Sequence, residues 1–237
     1  MTEFPFGSVL AVPAAAALVA ITVLSGCVRT IEGTAAWTGE TAPSTAAGST
    51  ATQQPTKGSG PPVPGIETTL PDQIPPNAFV CFPEPSGVGM GTLAQVADPT
   101  APRVTVALPD GWTAEPGQGD VALTLSGPDG LTGTVNIAAT LLDPAAAFAD
   151  YAATLARSKP DLQVDTAGAK FCGYSSQKLS GTYSGPPGTL DFADRITHIW
   201  TNTKNYLVIV HLEGPAGAPG FDAAKTALMQ DFAVVIP

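Results

Sequence analysis

The chain has 237 residues, of which 20 are acidic and 10 basic, giving a formal net charge of −10; charged residues are only 13% of the total. So acidic a chain is ill suited to hold nucleic acid or to adhere electrostatically to anionic lipid. Hydrophobic residues make up 44%, enough to build a core in one domain of ordinary size.

Residues 1–26 read as a signal peptide. Residues 9–23 are rich in Ala, Val and Leu and carry no charge. The run is shorter than the roughly 20 apolar residues of a membrane-spanning helix, so it fits a signal-peptide core better than the rival reading, an uncleaved anchor. It closes on Leu24-Ser25-Gly26-Cys27, a lipobox. Small residues there let a membrane-embedded peptidase reach the bond, and the thiol takes a diacylglyceryl group. One departure is that the stretch before the apolar run holds Glu3 and no Lys or Arg, whereas export signals begin basic. The expectation is a lipoprotein, palmitate-bearing at Cys27, anchored to the cell membrane on its extracytoplasmic face. Loss of residues 1–26 removes Glu3 and no basic residue, leaving 10 − 19 = −9.

There are three cysteines, Cys27, Cys81 and Cys172. Lipidation uses one, and outside the reducing cytosol the remaining pair should form a disulfide. Neither Cys81 nor Cys172 has His or Cys companions at ligand spacing, so no metal site is expected.

Residues 27–76 form the expected tether. The stretch Thr41-Ala42-Pro43-Ser44-Thr45-Ala46-Ala47-Gly48-Ser49-Thr50 is typical, and Trp37 is the only aromatic. Too little apolar side chain is present to offset the entropy of ordering, so the segment should stay disordered, as a spacer or a Ser/Thr-Pro stalk that accepts glycans.

Residues 77–237 are the expected single globular domain. Arg103–Leu108 reads as a strand stopped by Pro109-Asp110-Gly111. Val121–Ser126 and residues 132–142 form a hairpin across Gly127-Pro128-Asp129-Gly130. Asp143 is placed to cap a helix whose first residue is Pro144, with Phe148, Tyr151, Ala152 and Leu155 at helical spacing and Pro160 as the stop. Residues 171–179 read as one strand, with a short one near 181–183. The longest hairpin pairs residues 190–201 with 206–212, and it is expected to set Phe192, Ile196 and Trp200 against Tyr206, Val208 and Val210. A helix over 219–231 presents Phe221, Ala224, Leu228 and Phe232, and a short strand ends the chain. Hairpins dominate this order, so the fold class is α+β, a largely antiparallel sheet flanked by helices.

A lipobox, a Thr/Pro-rich tether, a strand ending in Leu108-Pro109-Asp110-Gly111-Trp112, a hairpin, a helix and a later antiparallel pair before a C-terminal helix together resemble the LpqN/LpqT-type lipoproteins of mycobacteria. That resemblance implies a PsbP-like α/β/α sandwich serving as a binding or accessory module of the cell envelope. It implies no shared catalytic set and no cofactor.

His198 and His211 are the only histidines, and Asp191, Asp194 and Arg195 lie near His198. On a strand Asp194 and His198 share a face, so an acid–base constellation can be drawn; salt bridges on a solvated face are the plainer account. No Gly-x-Ser-x-Gly elbow is present. Gly87-Val88-Gly89-Met90-Gly91 lacks the ending of a phosphate loop and reads as a flexible loop. Trp112, Phe148, Tyr151, Trp200, Tyr206 and Phe221 form a candidate groove for an acyl chain, against the simpler account that they are core. The functional expectation is a noncatalytic module that binds a lipid, a glycolipid or an envelope protein. The alternative is an envelope hydrolase or transferase using His198 or His211.

Overall fold

A computed structural model describes residues 63–68, 74–83, 90–186 and 188–237. The expected signal peptide, Cys27 and the tether as far as residue 62 lie outside the described residues, as do residues 84–89.

Eleven strands and two helices are present among the described residues. In chain order they are β1 (Phe79–Cys81), β2 (Met90–Ala94), β3 (Arg103–Leu108), β4 (Thr113–Pro116), β5 (Val121–Ser126), β6 (Thr132–Thr140), α1 (Pro144–Ser158), β7 (Gln163–Phe171), β8 (Tyr174–Gly185), β9 (Gly188–Trp200), β10 (Asn205–Pro215), α2 (Phe221–Leu228) and β11 (Ala233–Val235). They make two sheets, of order β1-β11-β3-β2 and β4-β5-β6-β10-β9-β8-β7, and every pairing is antiparallel. The α+β class and the antiparallel character are as the sequence implies.

The seven-stranded sheet has a core on each face. On one face α1 packs Phe148 and Leu155 onto Leu179, Tyr183, Phe192 and Ile196. On the other, Val135, Ile137, Tyr206, Val208, Val210 and Leu212 meet α2 and the four-stranded sheet, through Phe221, Ala224, Leu228, Val104, Val106 and Val234. The sandwich therefore differs from a plain α/β/α arrangement, because α2 shares its face with a second sheet. The strands β1 and β2 that complete that sheet carry no clear alternation in the sequence, being three and five residues long.

Two local readings need correction. Residues 171–179 are not one strand. Cys172 (φ 50°) and Gly173 (φ 81°) form a two-residue turn, and Phe171 lies opposite Tyr174 as β7 folds onto β8. Positive φ at both central residues marks the tight hairpin geometry usually given to Asn-Gly. Cysteine does not announce such a turn, and here its position is held by the bond to Cys81.

The β9–β10 hairpin has the predicted strands but a different facing. Trp200 lies opposite Asn205, Ile199 opposite Tyr206 and Ile196 opposite Ile209. Even-numbered residues of β9 therefore share a face with odd-numbered residues of β10. Phe192 and Ile196 point to α1 with Leu207 and Ile209, while Tyr206, Val208 and Val210 point the other way. A shift of one residue in register moves a whole strand's side chains to the opposite face.

The helix α1 starts as its sequence dictates. Asp143 Oδ1 accepts from the Ala146 amide at 2.8 Å, and Pro144 takes a first-turn position where its missing N–H is no loss.

Chain ahead of residue 77 also packs on the domain. Gln177 Nε2 donates to the Pro64 carbonyl at 2.8 Å, the Ser176 amide to the Gly65 carbonyl at 2.9 Å, and the Glu67 amide to Ser175 Oγ at 2.8 Å. Gly65 and Gly168 touch backbone to backbone: a Cβ on Gly65 would lie 1.9 Å from the Ser176 oxygen. Ile74 is buried and exchanges two hydrogen bonds with the Asn202 side chain, at 3.0 and 2.7 Å.

Candidate functional site

The register of β9 and β10 sets Asp194 directly opposite His211 on the face covered by α1. Asp194 is fully buried, and an isolated carboxylate there would be costly unless hydrogen-bonded. It has two partners. Tyr151, projecting from α1, donates to Asp194 Oδ2 at 2.8 Å, and His211 Nδ1 donates to Oδ1 at 2.5 Å.

The network continues along β10. His211 Nε2 donates to Glu213 Oε2 at 3.1 Å, and the same oxygen accepts from the Tyr183 hydroxyl at 2.5 Å and from Lys159 Nζ at 3.0 Å. Lys159, at the end of α1, also donates to the Tyr183 oxygen at 2.8 Å and sits 4.0 Å over its ring. Five groups from α1, β8, β9 and β10 are thus joined through one imidazole.

Both nitrogens of His211 face carboxylate oxygens, which an imidazole satisfies only as the doubly protonated cation. Burial opposes that charge, but the hydrogen bonds donated to Asp194 and Glu213 outweigh it and push the His211 pKa up to about 9. The same contact with His211 holds the Glu213 carboxyl well below its usual range, against burial and with help from Tyr183 and Lys159. Burial, and then the Asp194 charge, raise the Tyr151 phenol far above its ordinary value. A general base needs a free lone pair aimed at substrate, and His211 has none.

His198 is placed differently from the constellation drawn on the sequence. Its Nε2 donates to the Leu142 carbonyl at 3.0 Å, and burial lowers its pKa, so it stays neutral near pH 7. Asp194, on the same strand face, turns to His211 instead. Arg195 points to the opposite face, where it donates to the Met229 and Lys170 carbonyls and pairs with Asp231 at 2.8 Å. Asp191 accepts from the Gly217 amide at 2.8 Å. Sequence reasoning placed Asp194 beside the wrong histidine. The available signal was the hairpin count: four residues, Thr201 to Lys204, separate the strands, and counting outward from them pairs 194 with 211.

The six aromatic residues of the expected groove are not brought together. Phe148 and Tyr151 belong to the α1 side, while Trp112, Tyr206 and Phe221 lie in the core on the other face, and Trp200 packs at its edge. Trp112 fits into a space kept open by Gly127, where a Cβ would come within 2.3 Å of the indole. The Tyr206 hydroxyl bonds Asp98 Oδ2 at 2.8 Å and Thr100 at 2.7 Å. All six pack against one core or the other, Trp200 at an edge, and the Tyr151 and Tyr206 hydroxyls are hydrogen-bonded.

The Cys81–Cys172 disulfide is present and spans 91 residues, with Cα atoms 5.5 Å apart. Among the described residues no helix is long and apolar enough to cross a membrane, and no cluster of His, Cys, Asp or Glu is arranged to hold a metal ion.

No protein-family model matches the chain, and no curated protein matches it. The solved structures similar to the chain include those of two proteins. One is LpqN of Mycobacterium tuberculosis, described as involved in cell envelope biogenesis: TM-score 0.49, 16% identity, 62% of this chain and 91% of that one. The other is PA94 of Pseudomonas aeruginosa, of unknown function: TM-score 0.34, 17% identity, 60% of this chain and 96% of that one. At such identities no residue role passes from either protein to this chain.

Proposed function

We propose that this chain is an extracytoplasmic lipoprotein, held to the cell membrane through Cys27, whose domain is a noncatalytic binding or accessory module of the envelope. The observation that carries the reading is the fate of the ionisable groups. Among the described residues, the cluster around His211 has the composition of an acid–base site, yet it spends both imidazole nitrogens on internal carboxylates and ties α1 to the sheet. The disulfide supports an oxidising compartment. The ligand would be an amphiphile or an envelope protein. With five of the six aromatics packed on the two cores and Trp200 at an edge, surface apolar residues are the better place for it: Phe79, Phe82, Met90 and Leu93 near the four-stranded sheet, and Leu141 and Leu142 ahead of α1.

Anchoring is tested by mass and fractionation. The mature protein should begin at a diacylated Cys27 and sediment with membranes, and Cys27→Ala should move it to the soluble fraction. A wild-type chain that is soluble and unmodified overturns the anchor. Native mass spectrometry of protein purified from an exporting host reads any co-purifying amphiphile. The competing enzyme reading rests on the raised pKa of His211. An ester or glycosyl substrate whose turnover is abolished by replacing His211 would favour it over the binding module.

A further inference from the structure

The apolar surface ahead of α1 has a definite position relative to the incoming chain. Leu141 is fully exposed and Leu142 is 41% exposed, at the bend between β6 and α1. Beside them a cavity of about 240 Å³ is lined by Ala139, Thr140, Leu141, Trp200, Thr203 and Lys204 with Asn205. Register places these residues at one pole of the seven-stranded sheet, since Asn205 lies opposite both Thr140 and Trp200. Two adjacent exposed leucines beside a partly buried tryptophan are out of keeping with a solvated loop, where turn-forming polar residues are the rule.

The chain described from residue 63 runs along the edge of β7 and β8, past Gln177 and Ser176, towards this same pole. Ile74 is held by Asn202, two residues from Trp200 in the β9–β10 turn. The Glu67 amide bonds Ser175, which lies opposite His198, and His198 in turn holds the Leu142 carbonyl. Between Cys27 and Val63 stand 35 residues rich in Thr, Ser, Pro, Gly and Ala. Thirty-five residues reach at most about 120 Å, so the chain length bounds how far an anchored domain can sit from the bilayer, and this pole is the one the chain from Cys27 leads to.

We propose that Leu141, Leu142 and Trp200 form a membrane-contact surface, which seats this pole of the anchored domain on the bilayer with the leucine side chains in the acyl boundary. The inference rests on the Cys27 anchor proposed above. Among the described residues the pole carries Lys204, paired with Asp98 at 3.0 Å, and the exposed Lys170 beside the β7–β8 turn, too few to make a basic patch. Contact is therefore apolar and does not require anionic lipid. An indole at the level of the headgroups and aliphatic tips below it is the usual division at a bilayer interface.

The test uses the exported, lipidated full chain with Trp37→Phe, so that only Trp112 and Trp200 emit, reconstituted in phosphatidylcholine vesicles with brominated acyl chains. Trp112 is buried in the core and out of reach of the quencher. Emission should fall by about half relative to unbrominated vesicles, and the added Trp200→Phe substitution should abolish the quenching. Leu141→Ser with Leu142→Ser, which removes no core contact, should reduce quenching at least twofold with unchanged thermal unfolding. Vesicle flotation reads the anchor separately. Protein that floats without Trp200-dependent quenching overturns the contact surface and leaves the anchor standing. Protein that does not float overturns the anchor and the surface together.

Discussion

At the scale of single residues, His211 decides how the α1 face responds to pH. Its neighbours are Asp194 and Glu213 from the sheet, Tyr151 and Lys159 from α1, and Tyr183 from β8. The pKa rises from 6.5 in the unfolded chain to about 9 in the folded one. A raised pKa means stability that is complete below pH 6.5 and lost as pH climbs through 9. The shift corresponds to about 3 kcal/mol. Glu213 moves the opposite way, its contribution being present above its unfolded value of 4.5 and lost in acid. The two shifts describe one shared ion pair and are counted once. Urea unfolding from pH 5 to pH 9.5 should therefore show a maximum between about 4.5 and 6.5 and a decline above it. In His211→Ala the alkaline decline should flatten. The same substitution should cost about 3–5 kcal/mol at pH 6, because it leaves Asp194 buried with Tyr151 as its remaining partner. A wild-type profile flat from pH 6.5 to 9.5 would contradict the charged imidazole. Gly127 acts through space instead of charge. An alanine there would place its Cβ 2.3 Å from the Trp112 ring, so Gly127→Ala should destabilise by about 1–3 kcal/mol and shift Trp112 emission to the red.

At the scale of elements, local chemistry and long-range pairing were unequally legible. The start of α1 needed only neighbours: Asp143, Pro144 and the apolar spacing fix it. Asp143→Ala should cost about 1 kcal/mol, read as a lower melting temperature with unchanged helix content at 20 °C. A loss of helix signal at 20 °C would show instead that the tertiary contacts of Phe148 and Leu155 do not hold α1 unaided. Strands β3, β5, β6, β9 and β10 were readable because turn residues or alternation bound them. The hairpin of β7 and β8 was not, because its turn is Cys172-Gly173 and its outer strand is exposed almost throughout, with no alternation to betray it. β1, β2 and β4 are short: β1 depends on β11 at the far end of the chain, while β2 and β4 pair with the next strand but span too few residues to show alternation. The ion-pair network illustrates the same limit. Its members were visible as residue types, but Asp194 and His211 meet only if the hairpin register is counted from the turn, and the facing drawn from aromatic residues had the wrong parity. Tyr151 and Lys159 enter from a helix whose rotation over the sheet no local pattern specifies.

At the scale of the whole molecule, the disulfide links parts that strand pairing joins weakly. Cys81 ends the three-residue β1 at the rim of the four-stranded sheet, and Cys172 is in the turn at the far edge of the seven-stranded one. β1 meets β11 through only a few residues, with Asn77 and Ala78 bonding Ile236 beside them. Two effects of breaking the bridge can be separated. If its role is to hold β1 in place, its loss loosens β1, β11 and the β7–β8 turn alone. If its role is to restrict the unfolded chain, every residue that exchanges by global unfolding is affected alike. Closure of a 91-residue separation falls in the range where chain entropy gives about 4–5 kcal/mol, with less often realised. That exceeds the net value of the few hydrogen bonds of β1, at about 1 kcal/mol each. The global effect should therefore dominate. In the double variant Cys81→Ala, Cys172→Ala, amide exchange in the centres of β9 and β10, remote from the bridge, should accelerate about 10²–10³-fold. The urea midpoint should fall by the matching amount, and the dependence on urea should steepen as the freed chain exposes more surface. Acceleration confined to β1, β11 and the turn, with β9 and β10 unchanged, would make the bridge a local clamp and leave the stability of the two cores to packing alone.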